Sequence, residues 1–282
     1  MPSKIIDGKK IADGILQDIK RKIKNYRQKP GLALVLVGKN PASEIYVNSK
    51  EKMSKDVGFY IERFDLDESM SEIELMKIIN ELNQNQKIHG ILVQLPLPKH
   101  IDENLVTNSI LPHKDVDGFT SVNLGHLFSE HTILAPATAR AVMRLIESTG
   151  MKIEGKNAVI VGRSNIVGKP VAMMLLEKNA TVAICHSKTK NLDDYTKKAD
   201  ILVVAAGKVN LITKGMVKEG AVVIDVGINR VNGKIKGDVD FDNVKQVAGF
   251  ITPVPGGVGP MTIAMLMDNT LKAMELSQKI LK

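Results

Sequence analysis

Only one cysteine, Cys185, occurs in the chain. No intrachain disulfide can form, which points to a reducing compartment and predicts a cytoplasmic protein. No uninterrupted apolar run approaches the roughly 18 residues of a membrane span. The opening MPSKIIDGKKIADGIL has neither an apolar signal core nor an Arg/Ser-rich transit composition. Tryptophan is absent and aromatic residues make up 4% of the chain, leaving little surface on which bases could stack. That scarcity decides how to read the net charge of +8. The lysines and arginines are spread along helical faces, as at Lys20, Arg21, Lys22 and Lys24, with no recognition motif among them. They read as a solvated surface with a mild attraction for acidic small molecules, with neither nucleic acid nor membrane as partner. The histidines (His89, His100, His113, His126, His131 and His186) form no metal-spaced pair, so no metal is expected.

At 282 residues the chain exceeds the usual single core and predicts two domains. Strand and helix patterns alternate throughout. An opening helix carries Ile11, Ile15, Ile19 and Ile23 at i, i+4 spacing. Strands are expected over 32–38, 60–66 and 90–96, with helices over 42–56 and 71–84 between them. A loop-rich segment around 111–136 and a helix over 138–148 lead to a second set of strands at 157–162, 181–186, 200–207 and 221–227. Apolar, β-branched strands separated by helices indicate an α/β class with parallel sheets covered on both faces.

The densest signal is TPVPGGVGPMT, Thr252 to Thr262. Proline fixes φ and removes a donor, while glycine lets a ligand approach the backbone. The segment reads as a rigid, nearly side-chain-free loop ahead of the amphipathic run Ile263, Leu266, Met267, Leu271, Met274. In VIVGRSNIVGKP, Gly162 ends a strand and Gly168 opens a helix, the arrangement that receives a pyrophosphate. It is neither a regular G-x-G-x-x-G, since Ser164 occupies the second glycine position, nor a Walker A loop. An NAD site usually places an acid at the end of the next strand to hold the ribose hydroxyls. Here that stretch is CHSKTK, with Ser187 and Lys188 and no acid, and Arg163 projects nearby; this favours NADP. A solvated turn at Ser187 and Lys188 is the competing reading.

Tyr46 and Lys50 share a helical face at i, i+4, a plausible proton-transfer pair if burial lowers the lysine pKa. Taken alone, such a pair is more often a surface contact. Gln94 ends an apolar strand, where an unpaired amide would be costly. KDVDGF supplies Asp115 and Asp117. The similarly spelled GDVDF (237–241) is expected only to end a turn.

Together VGKNPASEIYVNSK, GILVQLPLP, KDVDGF, VGRSNIVGKPVA, ATVAICHSKT, ADILVVAAGK, VVIDVGIN, GDVDF and TPVPGGVGPMT, in this order, resemble the bifunctional methylenetetrahydrofolate dehydrogenase/cyclohydrolase family over essentially the whole chain. The resemblance implies a folate-binding catalytic domain over 1–120, joined by a C-terminal helix over 262–282, facing a Rossmann NADP-binding domain over 121–261 across a cleft. It implies tetrahydrofolate substrates and catalytic roles for Tyr46, Lys50, Gln94 and Asp117 in the folate pocket. Asp117 would hold the amino-pyrimidine edge of the pterin, Tyr46 would pack on the substrate rings, and the backbone of Pro255, Gly256 and Gly259 would close the pocket. Thr138, Gly162, Arg163, Ser164, Ser187 and Ile228 would surround NADP. A homodimer through the Rossmann domain is implied, and no formate-ligase extension is expected.

One segment departs from the family pattern. Where the family usually reads Pro-Cys-Thr-Pro-x-Gly, this chain has Pro136, Ala137, Thr138, Ala139, Arg140 and Ala141. Alanine favours helix, so a folded variant is expected. The activity at stake is hydride transfer, because the segment lies near the expected nicotinamide end. A cyclohydrolase with impaired dehydrogenase is therefore the second reading. A non-catalytic folate- or nucleotide-binding protein is the third.

Overall fold

The computed structural model describes residues 3–280, and expectations for residues 1, 2, 281 and 282 lie outside them. Along the chain run β1 (Lys4–Ile5), α1 (Gly8–Lys22), β2 (Gly31–Val37), α2 (Pro41–Val57), β3 (Tyr60–Leu66), α3 (Glu72–Gln84) and β4 (Gly90–Val93). Next come α4 (Glu103–Asn108), α5 (Ser121–Phe128), α6 (Ala137–Glu147), β5 (Asn157–Val161), α7 (Gly168–Glu177), β6 (Thr181–Cys185), α8 (Leu192–Thr196) and β7 (Ile201–Val204). The remainder is β8 (Val222–Asp225), β9 (Asn229–Val231), β10 (Lys234–Lys236), α9 (Phe241–Val244), β11 (Phe250–Ile251) and α10 (Val258–Ile280).

The chain divides into two compact units. One gathers the residues up to Asp13 with Thr138–Met265, and the other holds Gly14–Ala137 with the residues from Leu266 on. The second unit carries a parallel three-stranded sheet in the order β3-β2-β4. Every residue of the central strand, GLALVLV, is buried, which is why it reads as a continuous apolar run with no alternation. On one face Ala33, Val35 and Val37 meet Leu75, Ile79 and Leu82 of α3. That helix starts at a capping box, in which the Ser71 side chain accepts from the Glu74 amide and Glu74 reaches back to the Ser71 amide. The first unit carries a six-stranded sheet in the order β1-β11-β8-β7-β5-β6, parallel throughout. The fold is thus the α/β class expected, with two parallel sheets.

Three expectations are corrected. Strand β4 stops at Val93: the Gln94 amide still donates to Val35 O, but Pro96 has no N–H to continue the ladder. The supposed loop of 111–136 contains α5, capped by the Thr120 hydroxyl accepting from the Asn123 amide. Helix α10 begins at Val258, one turn earlier than expected. Pro260 fits there because the first turn of a helix needs no intrahelical donor. Strands β1 and β11, two residues each, and the β9–β10 hairpin have no counterpart in the periodicity.

A buried histidine ties β4 to the start of β2. The Gly31 amide donates to His89 Nδ1 at 2.9 Å, and the His89 amide donates to Gly31 O at 2.8 Å. Burial, with the neighbouring Lys114 charge, lowers the His89 pKa to about 4. Unfolded histidine takes a proton near pH 6.5, whereas the folded one stays neutral until about 4, so this stabilisation is present above 6.5 and lost as pH falls. Between pH 7 and 5 the loss is about 2 kcal/mol by linkage. Urea denaturation at the two pH values should show His89→Gln flattening the pH dependence by that amount. An unchanged slope would refute the assignment.

Candidate active site

Helix α2 positions the first site residues. Its N-terminus is set by Asn40, whose side chain accepts from the Ala42 and Ser43 amides, and by Pro41 in the first turn. Its C-terminus is set by Gly58 at φ 94°. Between these ends, Val47, Ser54 and Val57 are buried. Lys50 is half-buried, while Tyr46 one turn earlier is 39% exposed.

Lys50 Nζ donates to Gln94 Oε1 at 3.0 Å, and Gln94 Nε2 donates to Leu95 O at 2.7 Å. This second bond orients the amide so that its oxygen faces the lysine. Asp117 lies beside the pair and interacts with the Lys50 charge. Burial lowers the Lys50 pKa below the ordinary lysine range, and the Asp117 charge offsets part of that shift. Burial raises the Asp117 pKa; Lys50 opposes the rise and Asp115 adds to it. The structure therefore brings together Lys50, Gln94 and Asp117, residues from a helix, a strand end and a loop.

Two residues that sequence reasoning left unassigned hold this arrangement. Asp115 is buried and accepts from the Gly118 amide, the Thr120 amide and Asn123 Nδ2 at 2.8–2.9 Å. Gly118, at φ 72°, packs so closely that a Cβ would lie 2.6 Å from the Ala135 carbonyl carbon. Asn269, fully buried on α10, donates to Val116 O and Ala135 O and ties the Asp117 loop to the chain entering α6. A polar residue on an apolar helix stripe was its only sequence signal. The departing segment itself folds as the first turns of α6, with Ala137, Ala139 and Ala141 buried.

The cofactor candidates lie in the six-stranded unit, all but Thr138, which is on α6, at or just past the carboxyl ends of its strands, where α/β sheets bind ligands. Gly162 follows β5 at φ 138°, and a Cβ there would sit 2.3 Å from Ala205 O. At Gly168, which starts α7, a Cβ would sit 2.1 Å from Gly162 O. Only glycine permits this strand-to-helix turn. Ser164 Oγ accepts from the Val167 and Gly168 amides inside it. Strands β5 and β6 pair with Val161 opposite Cys185, so Arg163 and Ser187 leave adjacent strand ends, each two residues on. Both are exposed, and 186–190 contains no acid. A guanidinium, a hydroxyl and Lys188 without a carboxylate form a donor set that fits a phosphorylated ribose. Ile228, after β8, is exposed, and the Thr138 and Thr262 hydroxyls are 3.5 Å apart.

Pro255, Gly256 and Gly259 fall in this same unit, apart from the unit that holds Lys50. The loop that bears them is braced from the N-terminal side: the Lys9 amide donates to Gly256 O, and a Cβ on Gly8 would lie 2.0 Å from Gly257 O.

Comparison with known proteins identifies the family. The model for the tetrahydrofolate dehydrogenase/cyclohydrolase catalytic domain matches residues 6–117, and that for the NAD(P)-binding domain of the same family matches residues 136–278. The chain belongs to the tetrahydrofolate dehydrogenase/cyclohydrolase family. It is 55% identical to the bifunctional protein FolD of Halothermothrix orenii over 275 residues, covering 96% of this chain and 97% of the relative. The crystal structure of the bifunctional FolD dehydrogenase/cyclohydrolase of Campylobacter jejuni superposes with a TM-score of 0.95 at 49% identity, covering 98% and 99% of the two chains. That of Trypanosoma brucei FolD, complexed with NADP cofactor and inhibitor, gives 0.95 at 37% identity, covering 99% of each. As a FolD-type member, the chain has both activities, methylenetetrahydrofolate dehydrogenase and methenyltetrahydrofolate cyclohydrolase, on folate substrates. The chain therefore carries an NAD(P)-binding domain.

Proposed function

We propose that this enzyme uses NADP for the dehydrogenase step and that Lys50 moves the protons of the cyclohydrolase step. The observation that carries the reading is the Lys50–Gln94 hydrogen bond at 3.0 Å, on a lysine whose pKa burial lowers and which faces Asp117. The folate chemistry belongs to the three-stranded unit. There Asp117, an acceptor, suits the amino-pyrimidine edge of the pterin, and the exposed Tyr46 ring suits the substrate rings. The 255–259 backbone, without side chains at Gly256 and Gly259, suits the close approach of a flat ligand.

When bound, NADP would supply the acceptor for the hydride of the methylene carbon between N5 and N10 of the folate. The protein's part in that step is alignment, which asks for no acid or base. The product is a methenyl cation. Neutral Lys50 accepts a proton as water adds to that carbon, and its ammonium returns a proton to N5 as the carbon–N5 bond opens. The hydroxyl proton is lost to solvent, and 10-formyltetrahydrofolate remains. Gln94 Oε1 holds the amine in line and favours the form with N–H donors.

The choice of NADP over NAD rests on Arg163 and Ser187 at adjacent strand ends, and Gly162, Ser164, Thr138 and Ile228 are the other residues proposed to meet the cofactor. Assay with methylenetetrahydrofolate and either cofactor, following reduced cofactor and methenyl absorbance together, tests it. NADP should give the higher kcat/KM. Arg163→Ala should raise the KM for NADP about tenfold or more, with little change for NAD, because one charge-assisted contact contributes about 1.5–3 kcal/mol. Equal use of both cofactors by the parent would sink the assignment. A homodimer through the six-stranded unit agrees with β6, an outer strand that among the described residues pairs only with β5 and carries an exposed Ile184. A cytoplasmic setting agrees with the buried, unpaired Cys185 and with no helix among the described residues long and apolar enough to cross a membrane.

A further inference from the structure

GDVDF, expected to end a turn, does considerably more. Asp238 is 0% exposed and bridges the loops that follow β7 and β8. One oxygen, Oδ2, accepts from the Ala206 and Gly207 amides at 2.7 and 2.9 Å. The other, Oδ1, accepts from Asn229 Nδ2 at 2.8 Å. Asp238 is itself fixed by a second buried carboxylate. The Asp238 and Val239 amides donate to Asp225 at 3.0 and 2.9 Å, as does the Gly227 amide at 2.9 Å. The Asp225 amide donates to Thr252 Oγ1, which joins the start of the proline-glycine loop to the same point.

The packing leaves no slack. A Cβ at Gly227 would lie 2.3 Å from Asp238 Oδ1, and one at Gly237 would lie 1.9 Å from Asp225 Oδ2. Strands β7 and β8 are neighbours, with Val204 opposite Asp225, so both loops leave the carboxyl edge of the sheet side by side. Burial raises the Asp225 pKa to about 6, the opposing backbone donors notwithstanding. Asp238 takes three of its hydrogen bonds from residues whose backbone or side chain stands next to exposed Ala206, Gly207 and Ile228.

We infer that Asp238 is a positioning residue for the dinucleotide: it pre-sets the loops after β7 and β8 in the geometry that binds the cofactor, without touching it. The inference rests on the reading above that Ile228 and the strand ends beside it face the cofactor. Two loops already held by three charge-assisted bonds between them lose little freedom when a ligand settles on them, so affinity rises through preorganisation. Removing the carboxylate therefore acts on cofactor binding and spares the chemistry at Lys50.

Asp238→Asn keeps the volume but turns an N–H group toward one set of donors. NADP binding by titration calorimetry should weaken about tenfold or more, the loss expected from charge-assisted bonds. The KM for NADP should rise in step, with kcat at saturating NADP within about twofold of the parent. A parental cyclohydrolase rate without cofactor shows that the same preparation is folded. Asn229→Ala, which removes a single donor, should weaken binding several-fold and covers the case in which Asp238→Asn does not fold. In the parent without cofactor, the Ala206 and Gly207 amides should exchange slowly with solvent although both residues are exposed. Fast exchange at both amides overturns the inference. Parental NADP affinity in a folded Asp238→Asn protein overturns it as well. If Arg163→Ala still weakens NADP binding in that case, the cofactor reading stands and only the role of Asp238 falls; if neither variant moves the affinity, both fall.

Discussion

Lys50→Met should abolish cyclohydrolase activity while leaving measurable dehydrogenase activity, so that methenyl product accumulates. Methionine keeps much of the aliphatic stem and removes the amine that donates to Gln94. Hydride transfer depends on alignment, whereas opening the methenyl ring depends on a group that accepts and returns protons. A positioned acid–base contributes about 10²–10⁴-fold, so the hydrolytic rate should fall by at least about 100-fold. Stopped-flow measurement on methenyltetrahydrofolate, with dehydrogenase turnover measured on the same preparation, gives both numbers. Hydrolysis at the parental rate would remove Lys50 from the mechanism and leave Tyr46 as the next candidate. The variant should stay folded: Lys50 is half-buried, and α2 is anchored through Val47, Ser54 and Val57.

Asp117→Ala should depress both reactions, because on the reading proposed above it removes an anchor that both substrates share. An unpaired pterin donor facing a buried site costs about 1–3 kcal/mol, or about 10–100-fold in kcat/KM for each activity. A second effect falls on hydrolysis alone. The Asp117 charge opposes the burial that lowers the Lys50 pKa, so without it Lys50 holds its proton less firmly still. Cyclohydrolase activity should therefore change its pH dependence toward lower pH, while the dehydrogenase shows only the loss of binding. Folate affinity by calorimetry checks the first effect, and the two pH profiles check the second. Parental folate affinity in Asp117→Ala would refute the anchoring role.

The strands that were legible in advance are those whose burial forces a continuous apolar run. Strand β2 is buried at every position, and β5, β7 and β8 at all or nearly all of theirs, so the residues themselves declare parallel sheet. Motif blocks carried the rest: YVNSK, VQLPLP and DVDGF hold the residues that the structure gathers around Lys50. What escaped notice had no local signature. Strands β1 and β11 are two residues long, too short for any period, and exist because of their neighbours, β11 beside β1 and both β1 and β8 beside β11. Asp115 and Asn269 were given no role and GDVDF, with Asp238, was expected only to end a turn, because spelling does not reveal burial. Their partners lie from three to over a hundred residues away along the chain.

By itself, the sequence determined the α/β class, the central strands and the candidate side chains for the chemistry, since apolar pattern and side-chain chemistry are local properties. Only the tertiary structure decided that Lys50 meets Gln94, that burial lowers its pKa, and that buried carboxylates brace the loops of both units. Desolvation and hydrogen-bond geometry depend on what the rest of the chain packs around a group, and no single stretch of residues contains that information.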